Sequence, residues 1–164
     1  MLFDSRNFIR KFGIVVLLLG VMVSAAHAED DDDDERVAPV SNAVWKNECG
    51  ACHVAFPPRL LPADSWRAVM SGLDKHFGND ASLDAESTRE ISAFLEKHAG
   101  RRIHETSGKP LLRITETRWF KREHDEVSSR TWKNPKVKSA ANCAACHTQA
   151  ESGNYSERGI RIPK

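Results

Sequence analysis

Two short runs in this 164-residue chain have residue types and spacing that can do chemistry. Cys49-Gly50-Ala51-Cys52-His53 and Cys143-Ala144-Ala145-Cys146-His147 each place two thiols three residues apart and follow the second directly with an imidazole. Cys-x-x-Cys-His is the attachment signature of c-type haem. On one irregular or helical turn, each thiol can form a thioether to a haem vinyl group, and the adjacent imidazole projects beneath the iron as proximal ligand. Three other uses of paired cysteines compete. A structural zinc site would have to unite pairs roughly 90 residues apart, and the two following histidines would be coincidence. A thioredoxin-like dithiol belongs in a strand–helix–strand setting, which the residues around Cys49 do not provide. Two disulfides suit an oxidising compartment. Yet two complete copies of one motif consume all four cysteines. The expectation is two covalently bound haem c groups, held by Cys49, Cys52, Cys143 and Cys146, with His53 and His147 as proximal iron ligands.

The sixth ligand decides what such irons do. A methionine raises the reduction potential, a second histidine lowers it, and an empty position admits gas or substrate. Met70 is the only methionine beyond residue 22, so at most one haem can be His/Met ligated. Four histidines remain for the distal positions: His76, His98, His104 and His124. His76 lies at the flank of an apolar stripe, just before Phe77-Gly78. His124 shares a stripe with Phe120 and Val127, 19 residues before Cys143. His98 competes because it shares a face with Ile91 and Leu95. His104 follows Arg101-Arg102 and reads as solvated. The residues favour His76 and His124, with His98 and Met70 left as alternatives.

The elements that position these groups read as mostly α. Residues 1–28 have the form of a secretory signal peptide: Arg6, Arg10 and Lys11, an apolar run from Ile14 to Val23, and Ala26-His27-Ala28 as cleavage site. That run is about half the roughly 20 residues a membrane span needs, and the mean hydropathy of −0.49 excludes a polytopic membrane protein. Residues 29–40 open with seven consecutive acids and read as a disordered acidic arm, because like charges repel and bury no apolar surface. Helices are expected over Ala63–Phe77, capped by Asp64 or Ser65, over Asp84–Ala99, and over Thr115–Val127. Ser139 can cap a short helix carrying the second motif. No alternating strand pattern of useful length appears. The arrangement expected is two small helical lobes, 41–100 and 101–164, each packed around one haem. Trp45, Trp66, Trp119 and Trp132 serve as haem-packing or core residues.

Several longer runs carry a resemblance. Leu60-Leu61-Pro62-Ala63-Asp64-Ser65-Trp66, Met70-Ser71-Gly72-Leu73-Asp74-Lys75-His76-Phe77-Gly78, Trp119-Phe120-Lys121-Arg122-Glu123-His124 and Lys138 to His147 are similar to the proteobacterial dihaem cytochrome c family. The resemblance implies a periplasmic electron carrier with two bis-histidine haems, His76 and His124 being the distal ligands. It also implies redox partner proteins, among them an oxygen-binding monohaem cytochrome and a membrane electron donor.

Charge bears on those partners. Residues 36–100 carry 7 Lys+Arg against 8 Asp+Glu, whereas residues 101–164 carry 14 against 7. The basic half is a candidate docking side for an acidic partner or, transiently, an anionic membrane surface. Nucleic acid is not expected as a partner for an exported chain. A small haem enzyme or gas binder with one open iron is the competing class, but no paired carboxylates, Ser-His-Asp set or phosphate loop stands beside the motifs. The chain is read as a carrier and not an enzyme.

Overall fold

The computed structural model describes residue 40, residues 42–101 and residues 109–164. The expected signal peptide, the acidic arm up to residue 39 and His104 lie outside the described residues. Among the described residues, five α-helices are joined by short 3-10 turns. Among the described residues no strand ladder forms, only isolated bridges between Pro62 and Gly100, His76 and Asn79, and His147 and Ile160.

Helix α1 (Ala43–Gly50) starts where the Asn42 side chain accepts a hydrogen bond from the Trp45 backbone N–H at 2.7 Å. Helix α2 (Ala63–Met70) follows Pro62, and α3 (Ala85–Lys97) is capped by Asp84, whose carboxylate accepts from the Glu86 and Ser87 N–H groups. Ile91 and Leu95, one helical turn apart on α3, are fully buried and meet Trp45, Leu61, Trp66 and Met70 in one core. The Trp66 indole N–H donates to the Pro58 carbonyl, so the ring is buried without an orphaned donor. Gly100 runs back beside Leu61, donating to its carbonyl at 2.9 Å. A Cβ there would strike the Arg59 carbonyl, so the close approach requires glycine.

The second half is sparser. Helix α4 (Arg118–Glu123) and the single turn α5 (Ser129–Trp132) precede three 3-10 turns, Cys143–Ala145, Ala150–Ser152 and Glu157–Gly159. From residue 109 onward the buried side chains are Thr117, Phe120, Val137 and Ala150. That is too little apolar surface for more than fifty residues to close on themselves.

Several boundaries differ from the sequence expectations. The helix expected over Ala63–Phe77 stops at Met70, with Ser71-Gly72 and a 3-10 turn at Leu73–Lys75 after it, and Phe77 is 45% exposed with φ of 49°. Neither Asp64 nor Ser65 caps α2; its N-cap position is Pro62. The helix expected over Thr115–Val127 is divided at Thr117. Its hydroxyl accepts from Phe120 N–H and donates to Ile114 O, so the backbone there is extended rather than helical. The segment after Ser139 holds a 3-10 turn instead of an α-helix.

Candidate functional site

Cys49 sits in the last turn of α1, and Cys52 and His53 follow on the irregular turn beyond it. The His53 ring donates from Nδ1 to the Val54 carbonyl at 2.7 Å and stacks on Phe56. Its other neighbour is His76, with ring centroids 6.2 Å apart and planes only 24° apart. His76 is brought there by the turn after α2. Asn79 N–H donates to the His76 carbonyl, and the left-handed Phe77 and Gly78 reverse the chain. Burial, then the charges of His53 and Arg113, lower the His76 pKa, which keeps its ring neutral and its lone pair free. Arg113 comes from the second half and lies 4.0 Å over the Phe77 ring. Sequence reading missed this residue, since nothing local links positions 77 and 113.

The second motif is paired the same way. His124 caps the C-terminal end of α4 and donates from Nδ1 to the Phe120 carbonyl one turn back, at 2.9 Å. The Phe120 ring stacks on it at 4.0 Å, and Trp132 of α5 stands 6.1 Å away. His147 faces His124 at 6.1 Å, but with planes 70° apart. The chain is fastened across this motif from downstream: Arg161 N–H donates to Cys146 O, and His147 bridges to Ile160. Burial and then His124 lower the His147 pKa, while the Tyr155 backbone acts in the opposite direction. The Tyr155 hydroxyl is buried here without a hydrogen-bond partner.

These groups fit haem iron. A metal–imidazole bond of about 2.0 Å on each side, plus about 1.1 Å from each nitrogen to its ring centre, spans about 6.2 Å, the spacing of both pairs. Nδ1 of His53 and of His124 is engaged with a carbonyl, so Nε2 is the nitrogen left for a metal, and such carbonyl bonds orient metal-binding histidines. The orphaned Tyr155 hydroxyl suits a cofactor that carries carboxylates.

The competing readings fare worse. Among the described residues no three His, Cys, Asp or Glu converge as a metal-ion site. Burial, with Glu48 second, pushes the Cys49 thiol up to about 11, and burial pushes Cys143 likewise to about 11. A catalytic dithiol needs the opposite shift. His98, the alternative distal candidate, ends α3 with its ring against Phe94. Met70 is 8% exposed in the core with Trp66 and Leu95.

The family model for dihaem cytochrome c matches residues 45–155. Among solved structures, the dihaem cytochrome c purified from Rhodobacter sphaeroides is 50% identical, with a TM-score of 0.61 over 71% of this chain and 98% of that one. A second structure, the dihaem cytochrome c from Shewanella baltica, is 43% identical, with a TM-score of 0.65 over 74% of this chain and 93% of that one. The curated proteins contain no match.

Proposed function

Because this chain belongs to the dihaem cytochrome c family and carries two covalent c haems, we propose that it is an exported electron carrier whose irons are both bis-histidine ligated. Each haem supplies a one-electron Fe(III)/Fe(II) couple, with no bond broken and no proton moved. Cys49 and Cys52 hold one haem and Cys143 and Cys146 the other. His53 with His76, and His147 with His124, would bind the two irons.

The observation that carries this reading is the pairing itself: each motif histidine faces a second histidine at about 6.2 Å. The chain's part in electron transfer would then be to give each iron two imidazoles, so that neither would offer a place for substrate. Two histidines also hold the potential below that of a His/Met cytochrome.

The signal-like sequence of residues 1–28 supports export to the periplasm. No described helix is long and apolar enough to cross a membrane. Its partners are other redox proteins, with an oxygen-binding monohaem cytochrome as acceptor and a membrane protein as donor. Arg118 and Lys121 of α4 and Arg130 of α5, with Lys133 just beyond it, are exposed on the elements that carry His124 and Trp132. An acidic partner approaching the second haem would meet them first.

Exposure of the fully reduced protein to carbon monoxide tests the ligation. The proposal expects an unchanged Soret band. A shift in part of the band would mean an open iron and favour a small haem enzyme or gas-binding protein.

A further inference from the structure

The two histidine pairs agree in spacing and differ in angle: 24° between the His53 and His76 rings, 70° between those of His124 and His147. That difference matters for an iron held between them. An imidazole interacts with iron through its π system, perpendicular to its own plane. Two nearly parallel rings act on the same iron dπ orbital and split it from its neighbour. Two crossed rings act on one orbital each and leave the pair almost degenerate. Splitting stabilises the ferric state, which has the unpaired electron to place in the raised orbital.

Resting on the bis-histidine reading, we propose that the His124–His147 pair makes the second centre the crossed-ring, higher-potential one, with Phe120 and Tyr155 as the positioning residues that hold the rings apart in angle. Phe120 fixes His124 twice, through its carbonyl at 2.9 Å and through a ring lying 16° from parallel at 4.0 Å. Tyr155 sets its ring against His147 at 5.3 Å and 61°, while the bridge to Ile160 holds the His147 backbone. At the first centre Phe56 stacks on His53 at 23°, and its carbonyl partner is the adjacent Val54. Charge acts in the same direction as angle. Residues 109–164 hold 12 Lys+Arg against 6 Asp+Glu, and of these Arg113 stands at the first centre, whereas residues 42–101 hold 7 against 8. A positive field favours the ferrous state, which carries one charge fewer.

Low-temperature electron paramagnetic resonance of the fully ferric holoprotein reads the ring angle directly. The expected spectrum has two low-spin signals of equal weight: a rhombic one, and one dominated by a single feature at lower field. His124→Ala should remove the low-field signal and His76→Ala the rhombic one. In a potentiometric titration the low-field signal should disappear first as the potential is lowered. Phe120→Leu and Tyr155→Leu should each move the low-field signal toward rhombic in the folded holoprotein and leave the other unchanged. Two rhombic signals in the wild type, the reverse assignment or the reverse order of reduction would overturn the proposal. If the wild-type spectrum is as expected but neither leucine variant moves the low-field signal, Phe120 and Tyr155 are not positioning residues. Failure of bis-histidine ligation itself is distinguishable, because it would appear as a high-spin signal in the wild type.

Discussion

His53 and His124 each turn Nδ1 toward a backbone carbonyl, that of Val54 in one case and of Phe120 in the other. This leaves Nε2 free, with a partner histidine ring about 6 Å away. The arrangement predicts a sharp difference among histidine substitutions. His76→Ala and His124→Ala should each let carbon monoxide bind one of the two ferrous haems. His98→Ala should leave both closed, because its ring rests on Phe94. Soret difference spectra of the reduced variants make the comparison. Met70→Leu should likewise leave the spectra unchanged and cost less than about 1.5 kcal/mol in stability, as near-isosteric core exchanges do. The cysteine motifs and the two distal candidates could be picked out by residue type and spacing alone. The roles of Arg113 and Tyr155 could not, since each acts through a neighbour distant in sequence or through a ring-on-ring contact that leaves no periodic trace.

At the scale of elements, Thr117 joins sequence to site. It is fully buried and caps α4, the helix whose end places His124. Thr117→Val keeps the shape and removes the hydroxyl, orphaning the Phe120 N–H. It should destabilise the protein by about 1–2 kcal/mol, measured by chemical denaturation of the holoprotein. Asp84 caps α3 as a carboxylate, and hydrogen bonds from Ser87 chiefly lower its pKa below 3.8. A depressed folded-state pKa contributes stability above the unfolded value that is lost as pH falls through the folded value. Asp84→Asn keeps the cap without the charge, so its stability should decline less than that of the wild type below about pH 4. The helix over Ala85–Lys97 was legible because Ile91, Leu95 and His98 recur on one face at helical spacing. Helix α1 was not, because its amphipathic pattern is weak and its single buried residue, Trp45, gives no period to read. The interruption at Thr117 was equally hidden. Threonine is tolerated inside helices, and only its bond to the Ile114 carbonyl shows it acting as a cap.

For the whole molecule, the absence of strand ladders among the described residues and the scarcity of buried side chains beyond residue 109 leave the second half dependent on its cofactor for a core. Its charge predicts how it meets a partner. Electron transfer to an acidic redox protein should slow as salt rises, because screening at physiological ionic strength acts over ~8 Å. Replacing Lys121 and Lys133 with glutamine should lower the rate at low salt and flatten that dependence, as stopped-flow kinetics can show. The central claim is that both irons are closed by paired histidines, and near-infrared magnetic circular dichroism of the ferric holoprotein examines it most directly. Ligand-to-iron charge-transfer bands there differ between histidine–histidine, histidine–methionine and high-spin haem. The account predicts the bis-histidine band alone, at an intensity of two haems per chain; a methionine band or a high-spin contribution from either haem would contradict it.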